Sequence, residues 1–144
     1  MRVEKIRRER EGGEVMTDLE AHGAHVFLDY TGYVSPHQND GQWILELLEQ
    51  AVERSAARNV HSHVEPFDGS LSPIGFAAVV LLDESHVTAH CYSEKGWLAL
   101  DCFTCGGSDP NALADDIHHH LVKEIPSLSL RRRQHVERFL HEGE

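Results

Sequence analysis

Seven consecutive apolar residues, Phe76-Ala77-Ala78-Val79-Val80-Leu81-Leu82, constrain this chain more than any other stretch. An uninterrupted apolar run of that length predicts a central strand, either covered on both faces or pressed against a second copy of the chain. A sheet must form around it. The run opens onto Asp83-Glu84-Ser85-His86. A hydroxyl that leaves a buried strand between an acid and an imidazole is one that a neighbouring group can activate as a nucleophile. All three cysteines, Cys91, Cys102 and Cys105, follow close behind.

The flanking segments supply the rest of the sheet and its cover. From Ala24 to Tyr30, Val26 and Leu28 alternate with His25, Phe27 and Asp29, which predicts a strand with one face more buried than the other. Gly32 and Pro36 mark residues 31–39 as a loop. Asp40 is placed to cap a helix in which Ile44, Leu47, Leu48, Ala51 and Val52 fall at i, i+3, i+4, i+7 and i+8. Val60 to Val64 predicts another strand, and Pro66 to Pro73 a loop around Asp68-Gly69. His86 to Tyr92 and Trp97 to Phe103 are strand-like runs joined by Ser93-Glu94-Lys95-Gly96, a hairpin connection with its glycine. Asp109-Pro110 starts a second helix, with Leu113, Ile117 and Leu121 on one face and Pro126 as its stop.

With no internal repeat, this order predicts an α/β fold, a two-layer α/β sandwich whose antiparallel-rich sheet has helices packed on one face. Residues 1–20 are expected to be a charged extension, frayed or weakly helical, because Arg7-Arg8-Glu9-Arg10-Glu11 and Gly12-Gly13 carry no core-forming pattern. The folded domain is expected over 21–130, with a last strand from Ser127 to Leu130. Arg131-Arg132-Arg133 then opens a charged tail over 131–144.

A net charge of -11 argues against nucleic acid as a partner, since phosphate binding needs a cationic surface. No stretch is apolar for long enough to span a bilayer, and the charged start lacks the apolar core of a signal peptide, so the cytoplasm is expected. An odd number of cysteines is no disulfide framework and fits a reducing compartment.

Glu84-Ser85-His86, His90, Glu94, Gly96 and Asp101 with Phe103-Thr104-Cys105-Gly106 resemble, in spacing and in kind, the small prokaryotic S-adenosylmethionine decarboxylases, pyruvoyl enzymes made as self-cleaving proenzymes. Gly23-Ala24-His25, leading through Phe27 and Leu28 to Asp29, Tyr30 and Gly32, resembles that family's opening strand, so the likeness covers residues 22–125. The resemblance implies the same sandwich fold. It also implies cleavage between Glu84 and Ser85 by attack of Ser85 Oγ on the Glu84 carbonyl, with His90 as a base in processing. Ser85 would become a pyruvoyl group, whose carbonyl condenses with the substrate amine and takes up the electrons released with carbon dioxide. Cys105 matches the family's proton donor, and Glu94 the acid that holds the ribose hydroxyls. Leu71 and Tyr92 stand where the family usually carries Phe and Trp around adenine, and Ala77 where a serine commonly helps position the substrate carboxylate.

Those three departures leave room for a pyruvoyl-dependent ornithine or arginine decarboxylase, or for a non-enzymatic regulatory homologue, which the presence of Ser85, His90 and Cys105 disfavours. The partners expected are a small-molecule substrate and a second copy in a homodimer, since so short a chain has little surface to cover both faces of an apolar central strand, and the resemblance implies active sites near the subunit contact. Other chemistries fit less well. Cys102-Phe-Thr-Cys105 with His86 and His90 has zinc-ligand types but no spacing that fixes a tetrahedron, and no metal is expected. A redox CxxC belongs at a helix start, whereas Gly106-Gly107 follows here. His118-His119-His120 on a helix point about 100° apart and predict a solvated face.

Overall fold

The computed structural model describes residues 4–10 and 13–143, with side chains from Asp18 onward. Its elements are β1 (Glu4–Arg10), β2 (Gly13–Thr31), α1 (Asp40–Arg54), β3 (Asn59–Phe67), β4 (Gly75–Leu82), β5 (His86–Tyr92), β6 (Trp97–Cys105), α2 (Pro110–Glu124) and β7 (Ser129–His141). The strands run β1-β2-β6-β5-β4-β3, every neighbour antiparallel, and β7 also pairs with β2. Both helices lie on one face. Helix α1 packs on β3 and β4, α2 on β2 and β6, and Arg54 ties the two through a 3.0 Å bond to Asp116.

The period-2 pleat sorts the side chains. Val26, Leu28 and Tyr30 of β2, Phe76, Ala78 and Val80 of β4, Val87 and Ala89 of β5, and Leu98, Leu100 and Cys102 of β6 are buried beneath Ile44, Leu48, Ala51 and Val52 of α1 and Leu113, Ile117 and Leu121 of α2. That is the sandwich the sequence predicts, with both apolar helix stripes facing the sheet. The β5–β6 turn forms as expected: Gly96 takes φ +73, where a side chain would be strained, and the Lys95 and Gly96 amides both donate to the Tyr92 carbonyl. At α2 the Asp109 side chain accepts from the Asn111 amide and Pro110 opens the helix.

Four expectations need correction. Residues 4–10 and 13–19 are paired strands rather than a frayed or weakly helical extension, in register from Glu4↔Leu19 to Arg10↔Gly13. Glu4–Arg10 has six charged residues around Ile6, so no apolar alternation marks the strand in the sequence. The same reason explains β7: the charged tail expected from Arg131 is a strand to His141, in register with β2 from Ser129↔Thr31 to His141↔Glu20. Asp40 does not cap α1. Asn39 holds that position without a side-chain bond, and Asp40, the first helical residue, accepts from the hydroxyls of Tyr33 (2.9 Å), Ser35 (2.8 Å) and Ser93 (3.0 Å). Finally, of the two readings of the apolar run, cover on both faces within one chain fails, since β4 is covered on one face only. Leu81 is 43% exposed, and Ala77 and Val79 are part-exposed on the side away from the helices.

Candidate active site

The connection from β4 to β5 is three residues, Asp83-Glu84-Ser85, closed by the Leu82 amide donating to the Ser85 carbonyl at 2.8 Å. Arg58 anchors its first residue, donating through Nε to both oxygens of Asp83. Ser85 is half-buried beside the end of β6. Glu84, Ser85, Thr104, Cys105, Gly106 and Ser108 share the wall of an open depression of about 300 Å³.

Cys105 is the thiol at this site. Its Sγ, a Glu84 carboxylate oxygen and a ring nitrogen of His22 lie within 4.8 Å of one another, and His22 Nε2 is 3.5 Å from Glu84. Burial, and then the charge of Glu84, push the Cys105 thiol above its ordinary value, so it is protonated at neutral pH. Cys102 is fully buried on the helix side and pushed up to about 12 by burial. Residues three apart on a strand face opposite ways. A zinc or disulfide site using both Cys102 and Cys105 therefore has no geometry here, and all three cysteines are free.

The remaining candidates lie elsewhere on the sheet. His90 points from the open face of β5, opposite Ala77 of β4 and Ala99 of β6. It lies five residue steps along the strand from Ser85, a span of about 16 Å. His90 and Tyr92 line a shallow depression with Asp29, Thr31, Trp97 and Ala99, and Tyr92 meets the Trp97 ring edge-on at 5.7 Å. Glu94 is in the β5–β6 turn, and Leu71, 99% exposed, stands in the loop before β4. One chain thus holds two groups: Glu84, Ser85 and Cys105 at one end, and Leu71, Ala77, His90, Tyr92 and Glu94 towards the other.

Several residues at the first group went unassigned from sequence. His22 is a single exposed histidine before a glycine, with nothing in its surroundings to single it out. Of the triplet's histidine the structure adds more: His86 Nε2 lies 3.3 Å from Asp101 Oδ2, which is also 3.2 Å from His25 Nε2. Strand alternation alone puts His25, His86 and Asp101 on the open face. The His118 ring is stacked on Tyr30 and shares a 2.7 Å hydrogen bond with its hydroxyl, so that part of the histidine run is not purely solvated.

The fold is a small two-layer α/β sandwich, and its candidate site sets a serine at a strand exit, with a carboxylate before it and a protonated thiol beside it. The profile of the S-adenosylmethionine decarboxylase family matches residues 24–134, and the chain belongs to that family. An S-adenosylmethionine decarboxylase proenzyme of Brevibacillus brevis is 36% identical over 94 residues, 65% of this chain and 68% of that one. That of Bacillus velezensis is 35% identical over 69% of this chain and 75% of its own, and that of Thermoplasma volcanium 32% over 79% and 82%. Among solved structures, the adenosylmethionine decarboxylase of Aquifex aeolicus superposes with a TM-score of 0.66 at 28% identity, covering 87% of this chain and 97% of that one.

Proposed function

We propose that this chain is the precursor of a pyruvoyl-dependent S-adenosylmethionine decarboxylase that cuts itself between Glu84 and Ser85 and works as a cytoplasmic homodimer. The observation that carries the proposal is the placement of the Glu84-Ser85 bond in a three-residue turn beside the protonated thiol of Cys105, in a chain of this family. Ser85 Oγ attacks the Glu84 carbonyl carbon and the acyl group moves from nitrogen to oxygen. Loss of the Ser85 Cα proton then breaks the Cβ–Oγ bond and frees the Glu84 carboxylate, and water releases the nitrogen as ammonia. The pyruvoyl carbonyl that results supplies the electron sink for the departing carbon dioxide. The surrounding residues suit such a group. Cys105 holds a proton on Sγ for the carbon that loses carbon dioxide, and the ring of His86, bonded to Asp101, fixes the residue next to Ser85.

The second group of residues supports the homodimer. A base must come within hydrogen-bond reach of the proton it takes, and His90 stands about 16 Å along β5 from Ser85. The face that carries His90 is open and carries Leu81, Tyr92 and Trp97, each more than 40% exposed, with Leu71 bare beside it. A second copy laid on this face about a two-fold axis brings His90 of the partner subunit to Ser85, and the reverse, because a two-fold contact is reciprocal. Glu94 then serves the ribose diol and Tyr92 the adenine face of a substrate held between the copies. Three free thiols suit a reducing compartment. Among the described residues no helix is long and apolar enough to cross a membrane.

Intact mass and denaturing electrophoresis test the cleavage. Chains 1–84 and 85–144 are expected, the second blocked to Edman sequencing, and Ser85→Ala should remain whole. A wild-type protein that is fully active as one uncut chain overturns the proposal. Carbon dioxide release from S-adenosylmethionine, ornithine and arginine tests the substrate: kcat/KM must be highest for S-adenosylmethionine. For the composite site, mixing Ser85→Ala with His90→Ala subunits should restore activity to about a quarter of wild type, since half of the dimers are mixed and each has one of two sites intact.

A further inference from the structure

On β7 Arg138 pairs with Gly23 of β2, and its guanidinium lies across the sheet over the Phe103 ring, 5.5 Å from the centroid. Its Nη1 is 2.8 Å from Nδ1 of His25. That histidine is 5% exposed and stacked between Phe27, at 5.1 Å and 12°, and Phe103, at 4.3 Å and 19°. A guanidinium has only donors, so Nδ1 must accept and the ring proton must sit on Nε2. Nε2 faces Asp101 Oδ2 at 3.2 Å, and the same oxygen takes His86 Nε2 at 3.3 Å. A carboxylate only accepts, which gives both rings an Nε2–H.

Two imidazoles and a carboxylate within 4.8 Å of one another are also a possible metal set. Arg138 argues against that use. A metal-bound histidine donates its other ring N–H to an acceptor, whereas the other nitrogen of His25 faces a donor and a full positive charge. Burial and the adjacent Arg138 charge both disfavour the protonated ring, and His25 is held below its usual pKa despite Asp101.

We propose that Arg138 is a positioning residue: by donating to His25 Nδ1 it directs the His25 proton to Asp101, and Asp101 in turn holds the ring of His86, the residue that follows the reactive position 85. The proposal rests on the cleavage proposed above, because cleavage makes residue 85 the first of a new chain and first residues fray unless they are tied down. Before cleavage the Leu82 amide holds the Ser85 carbonyl from the other side of the scissile bond. Afterwards the ladder pairs of His86 with Leu81 and Phe103, together with its ring bond to Asp101, are what keep the reactive end against Cys105.

Histidine 15N shifts and couplings measured on full-length Ser85→Ala protein, which cannot cut itself, read the relay without any decarboxylase activity. His25 is expected as the Nε2–H tautomer in this protein, and Arg138→Leu in the same background should give a tautomer mixture. In the cleavable protein, Arg138→Leu should still yield both chains but lose about tenfold in kcat, part of the roughly hundredfold that a 1 Å misplacement can cost, with KM within twofold. Arg138→Lys, which keeps a cationic donor, should recover the tautomer and part of kcat. An Nδ1–H or doubly protonated His25 in the parent overturns the relay even if Arg138→Leu fails to fold, and so does an unchanged kcat once the tautomer has shifted. Failure of the wild type to cleave would refute the proposed function instead, leaving the tautomer result standing.

Discussion

Gly23→Ala tests how closely the sheet is fitted to the thiol of Cys105. The two residues are paired across β2 and β6, and a Cβ at position 23 would lie 2.7 Å from Cys105 Sγ, 2.8 Å from the Thr104 carbonyl oxygen and 3.3 Å from the Phe103 ring. Non-bonded heavy atoms settle at about 3.5–4.0 Å, so Sγ must retreat by about 1 Å or the strands must part. Overpacking of this kind costs about 1–3 kcal/mol, and the reduced freedom of alanine in the unfolded chain offsets about 0.4–1 kcal/mol of it. The net loss lowers Tm by roughly 3 °C per kcal/mol in a domain of this size. The protein should therefore fold and cleave. Turnover is another matter, since a donor displaced by about 1 Å can cost about 10²-fold. Carbon dioxide release per cleaved chain, at saturating substrate, should fall by at least about tenfold while the melting curve stays cooperative. A variant with kcat within twofold of wild type and a displaced thiol would refute the assignment of Cys105 as proton donor.

Cys105→Ala should permit cleavage yet lose about 10²-fold in turnover, the scale for removing a positioned acid. Cys102→Ser should keep turnover per cleaved chain but lose about 1–3 kcal/mol of stability by chemical denaturation, because its hydroxyl is fully buried. In uncleavable Ser85→Ala protein, Cys105 should react with iodoacetamide more slowly than a free thiol at pH 8 and speed up above pH 9. Glu84→Gln should accelerate it at fixed pH, since removing the neighbouring negative charge lowers a thiol pKa that this charge raises. Asp40→Ala strands the hydroxyls of Tyr33, Ser35 and Ser93 and should cost about 1–3 kcal/mol in thermal or denaturant melts. Light scattering at micromolar concentration should report at least twice the 16.2 kDa of one chain.

The elements legible in the sequence are those whose side chains divide by face. Ile44, Leu48 and Val52 repeat at helical spacing because α1 has one buried side, and the proline and aspartate at 109–110 mark the start of α2 chemically. Strand β7 offered nothing comparable. Most of its side chains are exposed, and what holds it is backbone pairing with β2 plus ion pairs such as Arg132 with Asp29, at 2.7 Å, and Arg133 with Asp115. A charged stretch that pairs and a charged stretch that dangles look alike until a partner strand is known. The same holds for residues 4–10.

For the site, the limit is the separation between motif order and space. Glu84, Ser85 and Cys105 meet because β5 and β6 form a hairpin: the chain runs out along one strand and back along the next, so the residues just before β5 return beside the end of β6. A hairpin brings its two ends together and leaves its turn far away. Glu94, in that turn, and Tyr92, just before it, are therefore as remote from Ser85 as the hairpin is long, and His90 stands about 16 Å along the same strand. Sequence spacing shows that these residues occur together but not how far apart the fold holds them. The sheet sets that distance, which no rotation of side chains closes, and a two-fold axis through the open face would close it in the proposed homodimer. The second reading of the apolar run, a strand pressed against another copy of the chain, is consistent with the proposed homodimer. Ala77, Val79 and Leu81 lack cover within one chain, and in the proposed homodimer they lie on the face that a second copy would cover.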